Sequence, residues 1–135
     1  MSTFLDTNVV VYAFDRADPA KQRRAIGLLE GKDRLVLSTQ VLLESWWVLT
    51  RRLAEPLDSD HAAEIIDKLS ALPVISTDPQ LVRQAIDTSI RFGIAIWDAL
   101  IIEASRVAGC HRVLSEDLQS GQDFDGVRVE NPFTL

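Results

Sequence analysis

The chain has 135 residues, 47% of them hydrophobic and 25% charged, enough for one core burying about two thirds of the surface its unfolded form exposes. That composition excludes a disordered chain and argues against two independent domains, and the longest apolar run, Val9 to Phe14, is far short of the roughly 18 residues a membrane span needs. The net charge of −6, taken alone, argues against a nucleic-acid partner, because such partners select basic surfaces.

In chain order, Thr3-Phe4-Leu5 reads as a short buried strand ending at Asp6, followed by a helix capped at Asn8 and carrying Val10, Val11 and Phe14. Asp18-Pro19 opens a second helix, since Asp caps well and Pro suits the first helical position. Arg34 to Ser38 is a second strand. Gln40 to about Leu53 is a helix with Leu42, Trp46, Leu49 and Leu53 on one apolar stripe. Asp58, Ser59 or Asp60 caps the next helix, which carries Ile65, Ile66 and Leu69. Pro73 to Ser76 is a third strand, and Asp78-Pro79 starts a helix with Val82, Ala85, Ile86 and Ile90 as its apolar positions. After Gly93, the apolar segment Ile94 to Ile102 leads into a helix ending near Gly109. Arg112 to Ser115 and Val127 to Val129 complete the strands. Strands alternating with helices predict a single α/β domain over residues 1–135, with a mainly parallel twisted sheet of four to five strands covered by helices on both faces.

Most acidic residues fit helix caps or polar faces, but four do not. Asp6 ends the first strand. Glu44 is the only charge in Val41 to Leu49, and Asp98 the only charge in Ile94 to Ile102. Asp117 lies just past the fourth strand. Segments this apolar are expected to be buried, where a carboxylate loses its hydration. No Lys or Arg lies within five residues of Asp98 or within six of Glu44. A buried ion pair or a cap explains any one of these acids more easily than all four.

In a doubly wound sheet, the crevice beyond the strand ends at the point of reversal would bring Asp6 and Asp117 together. The helices of Glu44 and Asp98 would then aim their early turns at the same place. Carboxylates that close repel by roughly 4 kcal/mol per pair at an effective dielectric near 20, and a divalent cation removes the repulsion. Oxygen-only ligation suits Mg²⁺ or Mn²⁺. Zinc is a poor fit, because Cys110 and His111 have no further Cys or His nearby and His61 is distant.

These residues resemble the PIN-domain nucleases, and more closely the VapC toxins of type II toxin–antitoxin pairs. The resemblance is carried by Leu5-Asp6-Thr7-Asn8, Glu44, Trp97-Asp98-Ala99-Leu100-Ile101 and the run Ser115 to Gln122, and it extends to the ending Gly126 to Phe133. It implies a Mg²⁺- or Mn²⁺-dependent endoribonuclease, usually a homodimer, held inactive by a cognate antitoxin. Asp6 and Asp98 carry over as principal metal ligands and catalytic residues. Glu44 and Asp117 carry over as further members of the acidic set, and either is a candidate general base. Thr7, Asn8 and Ser115 match the supporting polar positions.

Among the basic residues, eleven Arg and three Lys, Arg51-Arg52 and the group Lys21, Arg23 and Arg24 read as solvated helix faces, or alternatively as contacts for RNA phosphates. Trp46 belongs to the core stripe, while Trp47 is the better anchor for a partner. A single Cys and no visible secretory signal lead to the expectation of a cytoplasmic protein without a membrane role. Two rival readings fit the residues less well. A phosphoaspartate-forming hydrolase wants Asp where Asn8 stands, and a binding module without catalysis would not need four intact acids. A stand-alone RNA-processing PIN nuclease is the alternative to a toxin.

Overall fold

A computed structural model describes residues 1–134. Six strands and six helices follow one another as β1 (Ser2–Leu5), α1 (Thr7–Tyr12), α2 (Pro19–Leu29), β2 (Arg34–Ser38), α3 (Thr39–Arg51) and α4 (Ser59–Leu69), then β3 (Val74–Ile75), α5 (Pro79–Phe92), α6 (Ile96–Val107), β4 (Arg112–Leu114), β5 (Asp123–Phe124) and β6 (Val127–Glu130). The sheet order is β3-β2-β1-β4-β6-β5, parallel throughout except for the β5–β6 pair. The α/β architecture with helices on both faces is therefore as predicted, with one strand more than expected. That strand, β5, has two residues and forms a hairpin with β6. Asp125 (φ 53°) and Gly126 (φ 97°) turn the chain between them, the paired positive φ values that a tight Asp-Gly hairpin requires.

The central strands are apolar on both sides because helices cover both faces. Phe4, Leu5, Val36, Leu37, Val113 and Val129 are each at most 3% exposed and meet Val9, Val41, Leu49 and Ile102 from the helices. Local signals set the helix starts. Asp18, Ser38, Asp58 and Asp78 each accept a hydrogen bond from a backbone N–H in the first turn of the following helix. Gly93, at φ 65°, ends α5 and turns the chain into α6.

Three local expectations are corrected. The cap of α1 is Asp6, two residues before Asn8: its side chain accepts from the Thr7 N–H, so the helix begins at the strand end. On α5 the buried positions are Leu81 and Ala85, while Val82 and Ile90 face outward at 41% and 75% exposure; the helix is turned by one position from the stripe read in the sequence. On α3 the deepest positions are Val41, Ser45 and Leu49, with Leu42 and Trp46 flanking them, half-buried. The apolar segments around Glu44 and Asp98 are not buried all round, because Leu43, Trp47 and Trp97 are exposed.

Candidate functional site

The chain reverses direction across the sheet between β1 and β4, which are parallel neighbours with Leu5 opposite Leu114. Beyond this pair the backbone continues on one side into Asp6 and on the other into Ser115. A cleft of about 240 Å³ opens there, lined by Asp6, Thr7, Asn8, Gln40, Glu44, Trp97, Asp98 and Asp117 among others. All four acids singled out in the sequence line it, together with Thr7 and Asn8. Asp6 is buried, Glu44 and Asp98 are half-buried, and Asp117 is exposed.

Each acid is placed by its element. Asp6 is held as the α1 cap by the Thr7 N–H at 2.7 Å and by Ser115 Oγ at 2.7 Å. Ser115 Oγ also accepts from the backbone N–H groups of Asp117 and Leu118, at 3.2 and 3.3 Å, which folds the chain after β4 back over the strand end. Glu44 Oε2 accepts from Thr7 Oγ1 at 3.0 Å, and Glu44 Oε1 from Gln40 Nε2 at 2.8 Å. Glu44 stands in the second turn of α3, beyond the reach of that helix's dipole, so the expectation of an early-turn position holds only for Asp98. Asp98 is in the first turn of α6, a helix whose start has no side-chain cap. Asn8 Oδ1 accepts from the Glu116 N–H at 3.1 Å and adds a second tie between α1 and the segment after β4.

The electrostatics are those of crowded anions. Burial pushes the Asp6 carboxyl up to about 6; its hydrogen bonds with Ser115 and Thr7 oppose this, while Glu44 and Asp117 add to it. Burial also raises Asp98, and Asp117 and Glu44 raise it further. Among the described residues no Lys, Arg or His pairs with any of the four acids within 4.0 Å. The protein thus leaves this negative charge uncompensated by its own cations.

The donor chemistry of the cleft fits a hard divalent cation. No His or Cys lines it, and the available ligands are carboxylate, amide and hydroxyl oxygens. Among the described residues no three acidic side chains already converge as a closed ligand set. The fit is therefore to an ion that keeps much of its water and takes one or two carboxylates, as Mg²⁺ does.

The basic residues are placed elsewhere. Arg23, Arg24, Arg51 and Arg52 do not line the cleft. Arg24 Nε donates to the Pro132 carbonyl, and the Arg51 guanidinium lies 4.5 Å from the centre of the Trp47 ring. Lys21 pairs with Glu116 and donates to Tyr12 Oη at 3.3 Å. Gln40 was not among the residues singled out in the sequence, where it reads as an ordinary polar residue at a helix start. Its only signal there is its place four residues before Glu44, on the same helix face. A wider groove, about 830 Å³ and lined largely by side chains such as Phe14, Leu53, Leu57 and Ile65, contains none of the four acids.

The fold and site define a class: an α/β domain with acids gathered at the switch point of a parallel sheet. The chain belongs to the PIN domain family of nucleases, whose model matches residues 3–123. No curated protein matches its sequence. Among solved structures, the chain is similar to the sarcin-ricin-loop-cleaving toxin VapC20 of Mycobacterium tuberculosis, with 21% identity, a TM-score of 0.69, and 85% of this chain and 89% of that one covered. It is also similar to a toxin–antitoxin complex from Klebsiella pneumoniae (16% identity, TM-score 0.71, 98% and 99% covered). A third likeness is to VapBC2 of Rickettsia felis bound to a promoter DNA fragment (18% identity, TM-score 0.67, 97% and 98% covered). At these identities the likenesses establish the fold.

Proposed function

We propose that this protein is a Mg²⁺- or Mn²⁺-dependent endoribonuclease, the toxic member of a type II toxin–antitoxin pair neutralised by a cognate antitoxin. The observation that carries the reading is the meeting of Asp6, Glu44, Asp98 and Asp117 in one cleft with no cation of the protein's own. Membership of the PIN family and the likeness to solved toxins and toxin–antitoxin complexes support it. The net charge of −6 does not oppose an RNA substrate, since two divalent ions would offset four of those charges where a phosphate must dock. We put the reaction in the cytoplasm, in keeping with a single Cys that has no disulfide partner. Leu43, Trp47 and Trp97, exposed on α3 and at the start of α6, support a homodimer.

Asp6 and Asp98 would hold the metal, with Glu44 and Asp117 joining directly or through water. A bound divalent ion supplies water activation at neutral pH and stabilisation of charge developing at the phosphate. Ser115 and the Thr7 N–H fix the Asp6 carboxylate, and Thr7 Oγ1 fixes one oxygen of Glu44. Asn8 Nδ2 is buried without a partner among the described residues and offers a neutral donor beside the acids. Asp117 is the acid best suited to accept a proton from the attacking water. It is exposed and its carboxylate accepts no hydrogen bond among the described residues, whereas both oxygens of Glu44 are engaged.

The test is RNA cleavage by the purified chain with Mg²⁺ or Mn²⁺ against chelator, alongside Asp6→Ala and Asp98→Ala. Cleavage is expected only with metal and in neither variant, and expression of the parent alone is expected to arrest growth. Metal-dependent cleavage retained in either variant would overturn the assignment of the site. Cleavage without growth arrest would transfer the chain to RNA processing.

A further inference from the structure

We propose that Gln40 is a positioning residue of the acidic cleft, whose side-chain amide clamps Glu44 to the first turn of α6 and so sets its place beside Asp98. The inference rests on the nuclease reading above. Gln40 Nε2 donates to Glu44 Oε1 at 2.8 Å and to the Trp97 carbonyl at 3.2 Å. Both partners are acceptors, so the amide has one sensible orientation; turned over, its oxygen would face two other oxygens. In that orientation Gln40 Oε1 is buried with no donor among the described residues. Leaving a buried oxygen unpaired disfavours the folded state, so the two bonds from the nitrogen carry the arrangement.

The consequence for Glu44 is specific. Its other oxygen is held by Thr7, the neighbour of Asp6, while Gln40 ties it to Trp97, the neighbour of Asp98. Glu44 is therefore strapped at one oxygen to the α1 side of the cleft and at the other to the α6 side. Its long side chain, with three rotatable bonds, would otherwise be free to leave the cleft. The contact comes from one helical turn earlier on α3, where residues four apart share a face.

The experiment measures Mn²⁺ binding by calorimetry, with RNA cleavage as a second reading. Gln40→Met keeps length and removes both hydrogen bonds; Gln40→Asn keeps the amide but shortens its reach, and stands in should the first variant fail to fold. Either is expected to weaken Mn²⁺ binding by about 10- to 100-fold, the range seen when a group that orients a metal ligand is lost. The metal concentration for half-maximal cleavage should rise by a similar factor, with KM for RNA unchanged. Because Gln40 acts through Glu44, adding Gln40→Met to Glu44→Ala, which leaves Gln40 nothing to hold, should cost nothing further. Mn²⁺ affinity within twofold of the parent, or additive losses in the double variant, would overturn the inference. Mn²⁺ binding retained in Asp6→Ala would instead overturn the metal-site reading itself, so the two failures are distinguishable.

Discussion

Ser115 Oγ donates a 2.7 Å hydrogen bond to Asp6 Oδ2 across the seam between β1 and β4, joining residues 109 positions apart. The same hydroxyl oxygen accepts the N–H groups of Asp117 and Leu118, so one buried side chain orients one acid and shapes the turn that carries another.

Ser115→Ala should therefore damage the site more than the fold. Removing a hydroxyl bonded to a buried carboxylate costs about 1–3 kcal/mol, well within the stability of a domain this size. The Asp6 carboxylate is then held by the Thr7 N–H alone, its second oxygen loses its fixed place, and the Asp117 turn loses its acceptor. Metal affinity should drop by about 10- to 100-fold while circular dichroism at 25 °C stays that of the parent. Unchanged metal activation in this variant would show that Asp6 needs no second orienting bond.

Asp6 also makes the metal-free protein sensitive to pH. Its carboxyl titrates near 6 in the folded chain against 3.8 for the free group, so folding favours the protonated form. That contribution is fully present below about pH 4 and is lost as pH rises through 6, amounting to something on the order of 3 kcal/mol. In chelator, the melting temperature should fall between pH 4.5 and 7, and Asp6→Asn should remove most of that slope. Mn²⁺ should restore the parent at pH 7 and leave Asp6→Asn unmoved. A flat profile in chelator would mean that the carboxylate is neutralised by something other than a proton.

Much of this site was legible before the structure, and the reason is dielectric. A carboxylate among apolar residues is conspicuous because burial penalises it, so Asp6, Glu44 and Asp98 announce themselves. Asp117 was legible through its position after β4 and through the family resemblance, although it proves exposed. Gln40 was not legible, because a neutral amide at a helix start carries no such penalty and its partner Trp97 lies 57 residues away. The strand alternation carried the fold, but β5 is too short to show any periodicity. The face of α5 was misjudged because Val82 and Ile90 are apolar yet exposed, and periodicity alone cannot separate a core face from an uncovered one.

Lys21 is tied into the protein rather than left free for phosphate. Its ammonium pairs with Glu116, donates to Tyr12 Oη and lies 4.8 Å from the Tyr12 ring centre, while Tyr12 Oη donates to Glu116 at 2.7 Å. Glu116 immediately precedes Asp117, so the cluster braces the turn from the α2 side. The Lys21 side chain is about one-third exposed, which limits the pair to roughly 1 kcal/mol and a few degrees of melting temperature. Lys21→Met should lower the melting temperature by that amount, with the difference shrinking at 1 M salt, and should leave KM for RNA unchanged. A rise in KM without loss of stability would return Lys21 to the RNA-contact role.

The exposed apolar residues of α3 test the homodimer. Leu43 is 73% and Trp47 48% exposed, on the outer face of the helix that carries Glu44 and Gln40. Exposed tryptophan and leucine side by side are the kind of surface that association covers, and Trp is enriched among residues that anchor interfaces. Charge placed there should oppose pairing without entering the core, since neither side chain is part of it. The variant Leu43→Glu with Trp47→Glu should sediment as a 15.1 kDa monomer at micromolar concentration, where the parent sediments at twice that mass. Its thermal transition should become independent of protein concentration, whereas that of a dimer rises with concentration by mass action. A parent that sediments as a monomer at the same concentration would remove the dimer from the reading and leave this face to another partner.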